Sequence, residues 1–180
     1  MVIIPDALAL TSNGSVGTRA AREEDGTGSS PLLVMSGIYS DGADPQLIRG
    51  PGWSGLTIVE EARPGRRLLD LRTGVLARES ADGRLRTLWL VSATRPEALA
   101  LRAEGPESAL ARADAPVAPA AAESDIFVRR DVGRVSVGSA TAPAGGGLTL
   151  AIIDREQVQE GRRTIERLAA CVGDARRAPP

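Results

Sequence analysis

The side chains of this sequence that could carry chemistry are carboxylates and arginines, because the usual catalytic bases are absent. The chain has no histidine, and all 22 of its basic residues are arginines. An arginine stays charged at neutral pH and does not act as a base there. Catalysis by Ser-His-Asp or Cys-His, zinc held by histidine, lysine Schiff bases and P-loop lysines are therefore excluded. Any acid–base chemistry falls to aspartate, glutamate, Tyr39 or Cys171.

The densest charged set follows an Asn-Gly pair, in the stretch NGSVGTRAAREE that begins at Asn13. Arg19 and Glu23 of this stretch are candidate ligand-binding residues. Asn13-Gly14 is typical of a type I′ hairpin turn, in which both central residues take positive φ. The glycines could also cradle an anion, but the helix N-terminus that usually completes such a site is not evident. The pattern favours a tight turn followed by a charged loop with exposed ion pairs, which contribute little.

Asp70 and Arg72 form a second candidate ligand-binding set. They stand two residues apart, so on a strand they share one face. A carboxylate together with an arginine suits the hydroxyl groups of a sugar. The alternative is structural, because the stretch LDLRTG around them breaks at Thr73-Gly74 as a hairpin does. The structural interpretation is favoured for this set.

Paired carboxylates for glycoside hydrolysis are not evident in the sequence. Such a pair needs two carboxyl groups roughly 5 to 10 Å apart, one of them with a raised pKa. Glu60 and Glu61 are neighbours on a predicted strand and face opposite ways, and Glu23 and Glu24 fall in the predicted loop. Cys171 lies in the apolar stretch LAACV and is predicted to be an inert core thiol. No catalytic residue is therefore assigned.

Four aromatic residues are present in the whole chain. Trp89 stands in the middle of a predicted strand, and both Trp89 and Phe127 are predicted to lie in the core. Tyr39 and Trp53 flank a loop rich in glycine, aspartate and proline, where binding residues are often found. Because aromatic faces stack on sugars and on planar substrates, Tyr39 and Trp53 are the candidate ligand-stacking pair.

Short alternating apolar runs between turn signals predict an all-β chain of about twelve short strands. Their spacing of roughly 10 to 15 residues, with Gly and Pro between them, is typical of a β-sandwich or barrel. The run RLRTLWLVS from Arg84 has apolar side chains on both faces, which predicts a central strand. Residues 158–172 fit either a helix face or a buried strand. Residues 105–125 are rich in Ala and Pro and predict an irregular loop, and residues 173–180 predict a frayed tail.

The length and charge of the chain bound its class. Its 180 residues fit one domain, residues 1–180, and the net charge of −1 offers no basic field for nucleic acid or an anionic membrane. No apolar run approaches the roughly 20 residues that cross a bilayer, and the N-terminus does not look like a secretory signal. A single cysteine forms no internal disulfide, so the expected compartment is the cytoplasm. We expect no metal and no cofactor.

Four stretches, in order, resemble the N-terminal domain of glycoside hydrolase family 65, the maltose, trehalose and kojibiose phosphorylases and their hydrolase relatives. NGSVGTRAAREE looks like the family's Asn-Gly-x-x-Gly-x-Arg opening, and SGIYSDG is like its Gly-Val-Tyr. LIRGPGWSGLTI stands where the family has Leu-Val-Asn-x-Pro-x-Trp, and RRLLDLRTGVLARE is similar to Leu-Asp-Leu-Arg-x-Gly-x-Leu-x-Arg. The resemblance covers residues 8–104 well and residues 125–172 loosely.

This resemblance implies a large antiparallel β-sandwich of the galactose mutarotase-like kind, here shortened, and it favours a strand for residues 158–172. In the family the catalytic part is a separate helical barrel downstream, which carries the general-acid glutamate and, in the phosphorylases, the phosphate-binding loop. No residue of this sequence matches that catalytic motif. The loop between Tyr39 and Trp53 lies toward the barrel in the family, so Trp53 could be the remnant of an interdomain contact.

Three functions remain open at this point. The first is a non-catalytic β-sandwich that binds carbohydrate or assembles with a helical-barrel partner or with itself as a homodimer, because unpaired strand edges recruit other strands. The second is a cyclase or isomerase whose interior holds a small hydrophobic metabolite. The third is a fragment of a larger hydrolase with no function of its own. A cavity lined by Tyr39 or Trp53 and an acid would favour the enzyme, and a solid core with an exposed apolar flank would favour assembly.

Overall fold

The alternating runs form strands, and every regular element among the described residues is a β-strand. The structure, a computed structural model, describes residues 10–19, 32–39, 46–50, 53–54, 56–58, 65–112, 125–132, 135–143 and 148–173. The expected all-β class is confirmed, with more strands than the twelve or so predicted. The strands are β1 (Leu10–Ser12), β2 (Val16–Arg19), β3 (Leu32–Tyr39), β4 (Leu47–Arg49), β5 (Leu56–Ile58), β6 (Arg66–Asp70), β7 (Val75–Glu79), β8 (Arg86–Val91), β9 (Ala98–Pro106), β10 (Leu110–Arg112), β11 (Asp125–Val132), β12 (Val135–Pro143), β13 (Leu148–Gln159) and β14 (Arg162–Gly173).

These strands pair into three antiparallel sheets. The large sheet has eight strands in the order β11-β12-β13-β14-β9-β8-β7-β6, the small sheet has the order β1-β2-β3-β4, and β10 pairs with β5. β1 and β2 lie against β8, and β3 lies against β14. The small sheet therefore covers one face of the large sheet, and the fold is a β-sandwich.

The core lies between the sheets and follows the alternation of side chains along each strand. In β8, Thr87, Trp89 and Val91 are buried, while Leu88 and Leu90 on the other face are only partly buried. β8 lies between β7 and β9, so the prediction of a central strand is confirmed. The side chains that fill the core come from both sheets and include Val16, Leu33, Leu99, Leu150 and Ile165.

The last two strands settle the alternative of helix or strand for residues 158–172. β13 and β14 pair along their whole length, from Leu148 opposite Gly173 to Gln159 opposite Arg162. Glu160 and Gly161 join them with φ of 51° and 72°. Positive φ at both central residues is the mark of a type I′ turn, whose twist matches that of the flanking strands. The strand implied by the family resemblance is therefore present, and Gly161 closes a hairpin.

The irregular loop predicted for residues 105–125 is wrong in its first part. β9 continues to Pro106, and β10 (Leu110–Arg112) pairs with β5. The physical reason is local burial, since Ala109 and Leu110 are 4% and 1% exposed and belong to the core. Residues 113–124 lie outside the described residues, and so do the residues of the predicted tail beyond Gly173.

At one edge of the large sheet, β6 carries features that discourage further strand pairing. It is only five residues long, begins with two arginines and ends with Asp70. Arg66 forms an ion pair with Glu79 of β7, with its Nη2 2.6 Å from the carboxylate Oε2. Short edge strands with charged side chains resist edge-to-edge association. This edge is therefore a poor place for the strand-recruiting homodimer that the sequence suggested.

Candidate functional site

The main polar feature of the interior is a set of charged side chains on the inner face of the large sheet. On β13 the buried alternation of Leu148, Leu150 and Ile152 continues into Asp154 and Glu156, which are 1% and 9% exposed. A fully buried carboxylate is costly unless a positive group and hydrogen bonds compensate it. The surroundings of Asp154 and Glu156 therefore decide what this interior can do.

Three arginines lie on the same inner face, two on β14 and one on β7. Arg167 and Arg78 are each 3% exposed, and the side chain of Arg163 is 21% exposed. We call Arg78, Asp154, Glu156, Arg163 and Arg167 the interior charged cluster. Strand pairing builds it, because Asp154 lies directly opposite Arg167 in the β13–β14 ladder.

Arg167 contacts three different parts of the fold. Its Nη2 donates to Oδ2 of Asp154 at 2.6 Å, and both side chains are only 1% exposed. Its Nη1 donates to the backbone carbonyl of Trp53 at 3.0 Å and to that of Ser54. One guanidinium thus joins β14, β13 and the segment 53–54 that precedes β5, which uses the several N–H donors of arginine.

Arg163, four residues before Arg167 on β14, makes a corresponding set of contacts. Its Nε lies 3.1 Å from Oε1 of Glu156, and its Nη2 lies 3.3 Å from Oε1 of Glu107. Its Nη1 donates to the backbone carbonyl of Leu110 at the start of β10. Each of the two interior carboxylates is therefore bound by an arginine from β14.

The contacts of the interior charged cluster therefore cross-link the strands of the fold. A general acid must reach a bond to be broken within hydrogen-bonding distance. Asp154 and Glu156 are instead oriented by Arg167 and Arg163 toward neighbouring strands. The sequence analysis did not identify this cluster, although a signal was present. In LTLAIIDRE the apolar side chains at every second position are followed on the same face by two acids. The next strand carries Arg163 and Arg167, and Arg167 lies directly opposite Asp154.

Trp53, one member of the predicted aromatic pair, lies in the core. It is 1% exposed, and its Nε1 donates to Oγ1 of Thr18 at 2.9 Å. Its ring meets that of Trp89 edge to face, with centroids 5.2 Å apart and an interplanar angle of 82°. Trp89 is 2% exposed, which confirms its predicted place in the core. The ring of Trp53 thus packs within the protein, and its backbone carbonyl serves Arg167.

Tyr39 is placed differently from Trp53, so the two do not form one exposed aromatic surface. Tyr39 ends β3 and is 47% exposed, directly opposite Leu47 of β4, which is 40% exposed. The predicted stacking pair therefore needs correction, because one ring is interior and the other is at the surface. The ligand-binding role of each residue stays a prediction. Phe127 lies on β11, whose side chains are outside the described set.

Asp70 and Arg72 are close together, but they do not share a strand face as predicted. Asp70 is the last residue of β6, and Arg72 lies in the exposed turn that follows. The Asp70 carboxylate accepts the Oγ1 hydrogen of Thr73 at 2.7 Å and the backbone N–H of Arg72 at 2.9 Å. These hydrogen bonds, chiefly that from Thr73, hold the pKa of Asp70 below its usual value. The favoured structural interpretation, a hairpin held by Asp70, fits these contacts.

The first hairpin is built by Asn13. Its Oδ1 accepts the N–H groups of Ser15 and Val16 at 2.9 Å each. Its Nδ2 donates to the carbonyls of Ser92 and Pro96 at 2.7 and 3.0 Å, which joins the small sheet to the β8–β9 loop. Only Gly14 of the predicted type I′ pair takes positive φ, at 90°, so the predicted turn type is wrong. The Asn13 N–H donates to the carbonyl of Val16 at 3.2 Å, which makes Gly14 and Ser15 the central residues of the turn.

The other candidates of the charged stretch are only partly visible. Arg19 ends β2 and is half-buried. Glu23 and Glu24 lie outside the described residues, as do Glu60 and Glu61. The predicted turn after Ser12 is confirmed, and the predicted ligand roles of Arg19 and Glu23 stay predictions.

Cys171 is fully buried on the inner face of β14, as predicted for a core thiol. Removal from water disfavours the thiolate and raises the pKa of Cys171 from 9.0 to about 11. A thiol with a raised pKa is a weak nucleophile, since the thiolate is the reactive form.

We expect alkaline pH to remove stability that depends on Cys171. The folded state holds the thiol proton more tightly than the unfolded state, so this stability is complete below pH 9 and is lost as pH rises toward about 11. The shift corresponds to about 2–3 kcal/mol. Denaturant unfolding at a series of pH values measures it. Cys171→Ala should lack this part of the pH dependence, and an equal slope in both proteins would contradict the assignment.

Two searches of the described residues bear on the class of site. They contain no group of three or more Cys, Asp or Glu side chains placed to hold a metal ion. No helix in the described part of the chain is long and apolar enough to span a membrane.

The fold and the interior charged cluster define the class: an all-β sandwich whose core is cross-linked by arginine–carboxylate contacts. No protein-family model and no curated protein matches the sequence. A solved structure named "Putative kojibiose phosphorylase from human microbiome" is similar, with a TM-score of 0.55 and 15% identity. The similarity covers 94% of this chain and 27% of that chain, so this chain corresponds to a minor part of that protein's length. At this identity the similarity shows the fold alone.

Proposed function

We propose that this chain is a non-catalytic β-sandwich module of a carbohydrate-active assembly, working beside a separate catalytic helical barrel. The observation that carries the proposal is the extent of the structural similarity. Nearly all of this chain, 94%, corresponds to only 27% of a protein named as a kojibiose phosphorylase. The family resemblance in the sequence implies that the catalytic groups lie in the remaining part. In this proposal they belong to the partner.

The interior supports a non-catalytic role. Hydrolysis or phosphorolysis of a glycosidic bond needs a carboxyl group that reaches the glycosidic oxygen. The two buried carboxylates of the described residues, Asp154 and Glu156, are instead bound by Arg167 and Arg163. Both tryptophans pack against each other in the core. This region is cross-linked by charged contacts and by packed aromatic rings, which supports the assembly hypothesis.

The contact with the barrel is proposed to use Tyr39 and Leu47. They are cross-strand partners at the end of the small sheet, and both are at least 40% exposed. In the family the loop after Tyr39 lies toward the barrel. Tyr39 is also the one exposed aromatic side chain among the described residues, so a sugar-binding form of the proposal would use the same ring.

The purified chain tests the proposal directly. Incubated with kojibiose, maltose or trehalose and inorganic phosphate, it is expected to release no glucose 1-phosphate and no glucose. Turnover of any of these sugars by the chain alone would overturn the non-catalytic role. Calorimetric titration with the same sugars separates the two forms. Saturable binding that Tyr39→Ala abolishes would assign sugar binding to Tyr39. Absence of binding would favour the role of Tyr39 in the contact with the barrel.

A second candidate function, a pocket enzyme acting on a hydrophobic metabolite, has one observation in its favour. Thr87 is fully buried on the inner face, opposite Arg78, and its hydroxyl has no hydrogen-bond partner among the described residues. A buried polar group of this kind could bind a ligand atom. Saturable quenching of tryptophan fluorescence by an apolar metabolite, lost in Thr87→Val, would favour the enzyme. Equal quenching in both proteins would count against a site at Thr87.

A further inference from the structure

The outer face of the large sheet carries a row of apolar side chains. Ile153 and Leu168 are 58% and 54% exposed and lie directly opposite each other on β13 and β14. The register continues this row through Ala100 on β9 to Leu90 on β8. We call these four residues the outer-face row. Single exposed aliphatic side chains are ordinary, but a contiguous set marks an interaction surface.

A charged row runs beside the outer-face row, two residues further along the strands. It consists of Arg155 on β13, Glu166 on β14 and Arg102 on β9, which are neighbours in the register. The signs alternate along it, and Arg102 and Glu166 form an ion pair of 2.9 Å. On the opposite side of the outer-face row, Ala151 and Ala170 form a smooth flank.

We propose that two copies of this chain associate through this face, stacked about a two-fold axis that runs parallel to the strands between β13 and β14. Such an axis leaves the position of each row along the strands unchanged, and it reverses the order of the strands across the sheet. Ile153 of one copy then faces Leu168 of the other, and Arg155 faces Glu166. Each contact occurs twice, as an isologous interface requires. The alanine flanks allow the close face-to-face packing of sheets, about 10 Å apart.

The alternating charges favour a second copy, related by this axis, over two alternatives: another direction of the two-fold axis and a partner of a different kind. A two-fold axis perpendicular to the strands would place the charged row on alanines or on itself. Charges would then lose water without gaining a partner, or would meet like charges. A partner whose facing surface carried a single sign of charge would be repelled by every second side chain of the row. This inference uses only the outer face and is independent of the proposed function.

The first test compares oligomeric state by sedimentation and light scattering over a range of concentrations. We expect the wild type to form a dimer. Ile153→Lys combined with Leu168→Lys should give a monomer with an unchanged β-sheet circular dichroism spectrum. Leu71→Lys is the matched control, since Leu71 is 88% exposed but lies in the β6–β7 turn, and it should remain dimeric. A monomeric wild type, or a dimer that persists in the double variant, would overturn the proposal.

A charge exchange tests the predicted axis and does not disturb the apolar row. Arg155→Glu places two carboxylates opposite each other across the interface and should raise the dissociation constant about 10- to 100-fold. Adding Glu166→Arg restores opposite signs and should recover most of the association. Equal weakening in the single and the double variant would refute the pairing of Arg155 with Glu166 of the other copy.

Discussion

Arg167→Met is expected to lower the free energy of unfolding by about 3–5 kcal/mol, because it leaves the buried carboxylate of Asp154 without its positive partner. The substitution keeps much of the side-chain length, so loss of packing contributes little. It removes the 2.6 Å contact to Asp154 and the hydrogen bonds to the carbonyls of Trp53 and Ser54. Denaturant unfolding followed by circular dichroism measures the change.

Arg102→Met is the matched control for this variant. Arg102 is also an arginine in contact with carboxylates, those of Glu104 and Glu166, but its side chain is 51% exposed. Water competes for exposed ion pairs, so the expected loss is about 0.2–1 kcal/mol. Adding Asp154→Leu to Arg167→Met should recover part of the stability, because the pair is then replaced by apolar groups. Equal losses in the two single variants would show that burial of the Arg167 pair does not matter.

Trp53→Ala is the second variant with a large expected effect, about 3–5 kcal/mol of lost unfolding free energy. Trp53 is 1% exposed, and its removal leaves a cavity against Trp89 and deprives Thr18 of its hydrogen bond. Trp53→Phe keeps an aromatic ring but not the Nε1–H donor, so a loss of about 1–3 kcal/mol is expected. The coupling between the two indole rings should disappear from the near-ultraviolet circular dichroism spectrum in both variants.

Tyr39→Ala serves as the control for Trp53. Tyr39 is 47% exposed, so its truncation should change stability by no more than about 0.5 kcal/mol. If Trp53→Ala proved as stable as Tyr39→Ala, the indole would not be holding the interior together. The ligand-stacking role that the sequence suggested for Trp53 would then regain support.

The fold could be predicted largely from short-range signals. The predicted turn at Thr73-Gly74 joins β6 and β7, and the run from Arg84 contains the predicted central strand as β8. These signals are local, because alternation and turn residues act within a few positions. Residues 158–172 remained ambiguous for the opposite reason. A buried strand and a helix face both appear as closely spaced apolar residues, and only pairing with β13 and β9 decides between them.

The interior of the site could not be predicted in the same way. Trp53 follows Gly and Pro residues and therefore looked like a loop aromatic, yet its ring lies beside Trp89, which is 36 positions later in the chain. The contact of Arg167 with the carbonyl of Trp53 joins residues 114 positions apart. No local pattern encodes such contacts. The alternation along β13 did mark Asp154 and Glu156 as inward-facing, which is the part of the cluster that sequence alone supports.

The side-chain hydrogen bonds of Asn13 also govern how the chain ages in storage. An Asn-Gly sequence loses ammonia spontaneously when the glycine nitrogen attacks the side-chain carbonyl carbon, and glycine hinders this attack least. In the β1–β2 hairpin the Asn13 amide is fixed at both its oxygen and its nitrogen, and the Gly14 N–H donates to Oγ of Ser12 at 3.2 Å. Isoaspartate therefore forms at this position only when the hairpin opens. The rate at which isoaspartate accumulates therefore reports how often the small sheet separates from the β8–β9 loop.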